Sequence, residues 1–284
     1  MDIEYNKLHY YKKMIVKILL YSFAILYTIN SLFPLFFAFI SSVKPDVEIY
    51  GKPFALPDPI SFKSYMYAIE TSHVLRGILN SLIYTTFSTA LVLLLALFLG
   101  YFLSRFKVRF KEAISVYFLA SLTLPIYACL IPLAVIINRF GLRNSVFGLV
   151  ILYTAMNISY AFFIIYGYMK SIPKELDESA IIDGCGPIRL LFSIIVPLTM
   201  PAIVTTAIII GKGVYNDLIF GALMVTKSEL FTLSLSLLTL KTDVEVKVNV
   251  IYAAICLSIL PVMLFFIVFQ KRIEQGLTTG AIKG

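Results

Sequence analysis

The sequence predicts an all-α membrane protein with six transmembrane helices, and three observations lead to that fold class. Of the 284 residues, 60% are hydrophobic and 14% are charged, about half the ~25% charged content that is usual in soluble domains. The mean hydropathy is +0.90. The apolar residues form six runs, each long enough to cross a hydrocarbon core of about 30 Å as a helix of about 20 residues. These observations exclude a water-soluble two-domain fold.

The six predicted spans follow one another and form a single transmembrane domain over residues 1–284. They cover residues 14–40, 79–103, 114–137, 146–168, 202–225 and 249–269. The first run is longer than the roughly 7 to 15 apolar residues of a signal-peptide core, so we expect it to remain as a span. Pro125 and Pro132 should kink the third span. The outer segment 41–78 is rich in proline, and we expect a surface helix at 62–75.

Lys and Arg are distributed unevenly between alternate loops. Fourteen lie on the side that includes both termini and nine lie on the other side. The positive-inside rule therefore predicts that both termini are cytoplasmic. This placement also accounts for the net charge of +8 without invoking nucleic acid. The three cysteines are far apart in sequence, which argues against a disulfide framework or a CxxC metal site.

The cytoplasmic segment 171–201 has the signals of a short helix with defined ends. Pro173 suits the first turn, and Glu175, Asp177 and Glu178 lie where the helix dipole favours negative charge. Gly184 suits a left-handed C-terminal cap. Together these residues predict a helix of about 11 residues.

The same segment predicts one apolar face and a second helix. Leu176, Ala180 and Ile181 should share a face of the first helix, and a second helix should run from Pro187 until Pro197 interrupts it. One interpretation is a rigid cytoplasmic surface for a partner protein. The alternative is an amphipathic helix that lies on the membrane surface.

The residues of this segment also resemble a family motif. Glu178-Ser179-Ala180, Asp183-Gly184 and the later Ile194 with Pro197 resemble the EAA loop of permease subunits of bacterial ABC transporters that act as importers, EAAxxDGA followed by IxxP. Further stretches resemble the carbohydrate-transport branch, on its maltose-type second permease subunit. They are Asn80-Ser81, Ser104-Arg105-Phe106, Phe140-Gly141-Leu142 with Asn144, Tyr215-Asn216-Asp217-Leu218, and the tail from Phe269 to Gly284.

The resemblance implies a type I ABC importer permease in the bacterial cytoplasmic (inner) membrane. The EAA loop would be a coupling helix that docks on an ATPase subunit, with Glu178, Ser179, Ala180, Asp183, Gly184 and Pro197 at or near that contact. The implied partners are a second homologous permease, an ATPase dimer and an extracytoplasmic solute-binding protein, and the implied substrate is a sugar or oligosaccharide. The outer loop 226–248 would reach toward the binding protein.

The chain lacks the motifs of an ATPase or hydrolase. Gly211-Lys212-Gly213 is followed by Val214 and has neither the upstream glycine nor the hydroxyl of a phosphate-binding loop. No Ser/His/Asp or HExxH pattern is present. We therefore expect that this chain is not an enzyme, holds no metal or cofactor, and leaves ATP and Mg to the partner ATPase.

Lys212 is the one basic residue near the middle of a predicted span. A lysine near the centre of a span costs about 2.5 to 3.5 kcal/mol on insertion scales. One interpretation is a substrate pathway that includes Lys212, Tyr215, Asn216 and Asp217. The alternative is that Lys212 pairs with a neighbouring subunit or snorkels to the interface. Lys212 and Asn216 share a helix face, whereas Asp217 is turned away from it by about 140°.

The sequence also allows alternatives to a permease subunit for sugars. Within the importer class, the solute could be a polyol phosphate, an amino acid or a polyamine. A secondary transporter would carry coupling carboxylates inside its spans, where only Asp217 qualifies. A membrane scaffold or receptor would not need the Gly184-capped loop.

Overall fold

The computed structural model describes residues 2–70, 73–242 and 247–281, which form helices and no strand. Within these residues the helices are α1 Asp2–Ser42, α2 Asp46–Gly51, α3 Lys63–Glu70, α4 Val74–Arg105, α5 Lys111–Thr123, α6 Leu130–Arg139, α7 Val146–Lys170, α8 Glu175–Ile182, α9 Pro187–Leu190, α10 Val196–Tyr215, α11 Ile219–Met224, α12 Leu233–Thr242 and α13 Val248–Ala281. The predicted all-α class is confirmed.

Five helical segments are long and apolar enough to cross a membrane. They are Lys12–Ser42, Val74–Arg105, Val146–Lys170, Pro187–Tyr215 and Val248–Ile267. A sixth span results if α5 and the helical segment Ile126–Arg139, which meet at 92°, are counted together. The predicted count of six spans therefore depends on this bent pair.

The third span is broken rather than kinked. Leu124 and Pro125 have extended backbone between α5 and a 3-10 turn at Ile126–Cys129, because a residue that precedes proline disfavours the α conformation. Pro132 causes no kink, since it lies in the first turn of α6, where its missing N–H would have no helical acceptor in any case. The prediction of a single kinked helix over 114–137 is wrong in this respect.

The predicted interruption at Pro197 is also wrong. α9 continues into a π-helical turn at Leu191–Ile195 and then directly into α10. A proline ring clashes with the carbonyl four residues earlier in a regular α-helix. The wider π turn immediately before Pro197 relieves that clash, so the helical run continues to Tyr215. There α10 ends, within the span predicted over 202–225.

The chain divides into two compact units. The larger unit comprises Ser72–Thr242 with Leu260–Gly284, and its core lies where α4 and α7 pack along their lengths, with α10 and α12 against α4. Small residues of α4 allow the two backbones to approach closely. A Cβ at Gly100 would lie 3.4 Å from Met169 Sδ of α7.

The smaller unit comprises Met1–Thr71 with Asp243–Ile259. The Asp46 carboxylate accepts hydrogen bonds from the backbone N–H groups of Val248 (3.2 Å) and Asn249 (2.9 Å) and so caps the start of α13. Lys44 is buried, and its Nζ donates to the carbonyls of Lys52 and Pro53, each at 3.1 Å. The surface helix expected over 62–75 is the shorter α3.

Parts of two sequence interpretations lie outside the described residues. The outer loop 226–248 includes residues 243–246, and the tail that carries part of the family resemblance ends with residues 282–284.

Candidate functional site

The loop between α7 and α10 folds as a short helix with a closed C-terminal cap. Gly184 has the left-handed conformation, with φ at +79°. Its N–H donates to the Ile181 carbonyl (3.0 Å), and the Cys185 N–H donates to the Ala180 carbonyl (2.9 Å), the two bonds of a Schellman motif. The chain therefore leaves α8 in a defined direction. At eight residues, α8 is shorter than the helix of about 11 residues that the sequence predicts.

The large apolar side chains of α8 are exposed. Leu176 and Ile181 are exposed and Ile182 is 85% exposed, whereas Asp177 and Ala180 are the buried residues of this helix. The large apolar side chains therefore face outward, and the Ala180 methyl group and a carboxylate face inward.

Asp177 forms a buried ion pair with Arg105 at the end of α4. Arg105 Nε lies 2.7 Å from Asp177 Oδ2, and the side chains are 5% and 11% exposed. Arg105 Nη1 also donates to the Ile172 carbonyl at 3.3 Å, so the guanidinium contacts both α8 and the chain that enters it. Burial raises the pKa of the Asp177 carboxyl above its ordinary value, and the Arg105 charge offsets part of that rise.

Sequence reasoning missed this pair. In the sequence, Asp177 stands out only as a charge that suits the N-terminal end of α8, and Arg105 only as part of a stretch that resembles the family. Since the two residues belong to different helices, no helical spacing rule connects them.

The predicted ATPase-contact residues divide into exposed and buried positions. Glu178, Ser179, Asp183 and Gly184 are exposed in α8 and its cap, and Ala180 is buried. Pro197 is exposed too but lies in α10, beyond the π turn. A second attachment holds the start of this run, because Tyr101 Oη donates to the Pro187 carbonyl at 2.9 Å.

The predicted pathway residues surround the end of α10. Lys212 and Asn216 are exposed, and Asn216 Nδ2 donates to the Lys212 carbonyl at 2.9 Å. Tyr215 is buried. A Cβ at Gly213 would have no atom within 4 Å, so this turn of α10 has open space beside it.

Asp217 caps α11 and does not point into that open space. Its Oδ2 accepts hydrogen bonds from Tyr153 Oη (2.9 Å) and from the Gly221 N–H (2.8 Å). The Phe220 N–H lies 3.5 Å from Oδ1. The carboxylate therefore stabilises the break between α10 and α11, which explains why the predicted span 202–225 is not one helix.

Three side chains near the start of α4 hold the segment 229–233. Asn80 Nδ2 donates to the carbonyls of Glu229 (2.9 Å) and Phe231 (3.0 Å), Tyr84 Oη donates to the carbonyl of Leu230 (2.9 Å), and Ser81 Oγ accepts from the Leu233 N–H (2.8 Å). This end of α4 is therefore fixed to the segment 229–233.

Asn144 makes a separate attachment from the connection between α6 and α7. Its backbone is left-handed, with φ at +54°, and its Oδ1 accepts from the N–H groups of Thr226 (2.7 Å) and Lys227 (3.2 Å). Asn80, Ser81, Asn144 and Asp217 belong to the stretches that resemble the carbohydrate-transport branch, and Asp217 is also a predicted pathway residue. The structure places all four in contacts that hold the chain from α11 to α12.

No obvious metal centre accompanies these contacts. Within residues 2–70, 73–242 and 247–281, no group of three or more His, Cys, Asp or Glu side chains is placed to hold a metal ion.

Comparison with known proteins supports the membrane interpretation. Residues 93–279 match the family of binding-protein-dependent transport system inner membrane components. A solved structure described as a bacterial ABC transporter involved in the import of the acidic polysaccharide alginate contains a chain of the same fold. The TM-score is 0.82 at 22% identity, over 90% of this chain and 96% of that one.

Curated relatives align over most of their length. A diacetylchitobiose uptake system permease protein of Streptomyces coelicolor is 29% identical over 91% of this chain and 86% of the relative. A probable starch degradation products transport system permease protein of Thermoanaerobacterium thermosulfurigenes is 28% identical over 88% and 91%. A melibiose/raffinose/stachyose import permease protein of Bacillus subtilis is 27% identical over 83% and 86%.

The family match covers well over half of the chain and includes α7, α8 and α10. Its members are permease subunits that work with a binding protein and an ATPase. The apolar spans of this chain are those of a multi-pass protein of the inner membrane. The chain therefore belongs to the family of binding-protein-dependent transport system inner membrane components.

Proposed function

We propose that this chain is a permease subunit of an ATP-driven importer that passes a sugar or oligosaccharide from an external solute-binding protein to the cytoplasm. The main support for the proposal is the structure of α8. The helix is capped at Gly184 and attached to α4 through Asp177, and its large apolar side chains face outward.

The outward face of α8 suits a partner protein. Leu176, Ile181 and Ile182 are exposed in a loop that the positive-inside rule assigns to the cytoplasm. Exposed apolar side chains on a short, fixed helix are typical of docking into a groove of another protein. We assign this contact to the ATPase subunit, which binds ATP and Mg, with Glu178, Ser179, Asp183 and Gly184 at the contact. Ala180 supports it from the buried face of α8, and we assign Pro197, beyond the π turn, to the same coupling segment.

The solute class follows from the named relatives. Proteins that align over most of this chain are named for the transport of diacetylchitobiose, starch degradation products, and melibiose, raffinose and stachyose. These names favour a sugar over a polyol phosphate, an amino acid or a polyamine. The complete importer would contain this chain, a second homologous permease, an ATPase dimer and an extracytoplasmic binding protein.

We assign the solute path to the exposed end of α10. Lys212 and Asn216 are exposed there beside the open space at Gly213. Tyr215 and Asp217 shape this end from the buried side. In this orientation both termini and α8 are cytoplasmic, and residues 217–233 lie on the outer side.

The test is purification of the tagged chain from its native membrane in a mild detergent, followed by mass spectrometry of the proteins recovered with it. We expect an ATPase and a second permease. The complex in vesicles, with its binding protein, should accumulate sugar when ATP is present on the ATPase side. Recovery of the chain alone or as a homodimer would refute the proposal.

A further inference from the structure

We infer that α4 moves as a rigid rod and so transmits movement of α8 to the outer segment 229–233. It does so through one contact, here called a joint, at each end. The cytoplasmic joint is the Arg105–Asp177 ion pair, and the outer joint is centred on Asn80. This inference rests on the proposed function and adds a route by which ATPase-driven movement crosses the membrane.

The cytoplasmic joint attaches α8 through a single charged group. Of the two buried residues of α8, Ala180 offers only a methyl group, so Asp177 is the one buried side chain that forms a polar attachment. Because Arg105 also donates to the Ile172 carbonyl, it also holds the chain just before α8. A displacement of α8 therefore acts on the last residue of α4.

The ion pair is poorly suited to a purely stabilising role. Asp177 Oδ1, Arg105 Nε and Arg105 Nη2 are buried, and none of the three makes a hydrogen bond within the described residues. Buried ion pairs with unsatisfied polar atoms contribute little net stability compared with apolar packing. A contact through Nε and Oδ2 alone fixes the separation of the two groups but permits rotation, as a joint requires.

The body of α4 is suited to carry force. It is one uninterrupted helix of 32 residues and contains no proline. From Asn80 to Arg105 it extends about 38 Å at 1.5 Å per residue, enough to cross the hydrocarbon core. Its close packing on α7 at Gly100 holds it against sideways bending.

The outer joint is made of hydrogen bonds to main-chain atoms. Asn80 and Tyr84 donate to three consecutive carbonyls, those of residues 229–231. A shift of α4 along its axis therefore displaces the backbone of the outer segment itself.

The test is a double-mutant cycle in the complete transporter, reconstituted in vesicles with its binding protein and sugar. The measured quantity is sugar accumulated per ATP hydrolysed. Asp177→Asn and Asn80→Ala should each lower this ratio at least about tenfold, equivalent to about 1.4 kcal/mol. Two changes this far apart are normally additive in free energy, so their fold effects multiply. If both joints act through α4 as one rod, the double variant should lower the ratio of sugar to ATP no further than the more severe single variant does.

A matched control uses the other outer attachment. Asn144→Gly removes the side chain that holds Thr226 but keeps a residue that tolerates φ of +54°. Since Asn144 is not on α4, its effect should multiply with that of Asp177→Asn. The inference would be overturned if the fold effects of Asp177→Asn and Asn80→Ala also multiplied in the double variant. A wild-type ratio of sugar to ATP in either single variant would overturn it as well.

Further variants separate coupling from folding. Arg105→Gln with Asp177→Asn leaves no orphan charge, so the complex should assemble at wild-type yield yet remain uncoupled. Arg105→Lys should retain part of the ratio, and Lys107→Gln and Glu112→Gln, both at exposed positions, should leave it unchanged. A wild-type ratio in the doubly neutral variant would exclude Arg105–Asp177 as the joint. If the wild-type chain recovers no ATPase or shows no ATP-driven uptake, the proposed function itself fails.

Discussion

Replacement of Gly184 by aspartate should abolish sugar uptake while the protein still inserts into the membrane. Gly184 has φ of +79°, and a non-glycine residue in the left-handed region costs roughly 1 to 2 kcal/mol. Asparagine and aspartate tolerate this region better than other residues do. A Cβ at Gly184 would meet no atom within 4 Å, so the substitution causes no clash within the chain itself.

The structure therefore predicts a small effect on the chain and a large effect on its contact with the ATPase. Local strain of about 1 kcal/mol lowers the equilibrium ratio of capped to uncapped loops only about fivefold. An unpaired carboxylate that becomes buried at a docking contact costs several kcal/mol, enough to lower affinity a hundredfold or more. The charge, rather than the backbone, should account for most of the loss.

Three variants separate these contributions. Gly184→Ala reports strain, Gly184→Asn adds a side chain of nearly the same shape as aspartate, and Gly184→Asp adds the charge. The assays are uptake of labelled sugar by cells, the amount of ATPase recovered with the tagged chain, and the amount of chain in the membrane. Uptake should fall in the order Ala, Asn, Asp. Normal uptake with Gly184→Asp would refute the assignment of this cap to the ATPase contact.

Three further predictions concern single side chains. Asp177→Asn should destabilise the purified chain by about 3 to 5 kcal/mol, since it leaves Arg105 buried without a counter-charge. Glu112→Gln, at an exposed position, should change stability by less than about 1 kcal/mol; thermal unfolding in detergent compares the two, and equal shifts would contradict the burial argument. Asp217→Ala should cost about 0.5 to 2 kcal/mol by removing the cap of α11, as measured by faster amide hydrogen exchange at residues 219–224, and unchanged exchange would show that the cap is not needed. Lys212→Leu should raise the sugar concentration needed for half-maximal uptake with little change in ATPase recovery, whereas unchanged uptake would remove Lys212 from the solute path.

Local sequence signals predicted much of the fold. The apolar runs identified the spans because a bilayer imposes length and composition on each helix independently of its neighbours. Gly184 was identified as a cap for a similar reason, since a helix that ends in a left-handed residue favours glycine whatever packs around it.

Features that depend on distant residues escaped prediction. Arg105 and Asp177 come together only because α4 and α8 meet, and Asp46 caps α13 from the far end of the sequence. The inward position of the Asp177 carboxylate on α8 depends on the same contact, so no pattern along α8 itself indicates it.

The two proline errors have a local origin. At Leu124–Pro125 the restriction on the residue before proline was available from sequence but was read as a kink. At Pro197 the predicted break is absent, because the wider π turn before it accommodates a proline that would otherwise end a helix. The effect of a proline thus depends on whether the preceding turn can widen.

The break between α5 and α6 also determines what can lie beside it. Backbone that leaves the helix at Leu124 and Pro125 has polar groups without regular helical partners, and the hydrocarbon of a bilayer supplies none. Lipid therefore cannot cover this elbow. Its open side must face water or another protein, so the 92° bend marks a part of the chain that lipid does not surround.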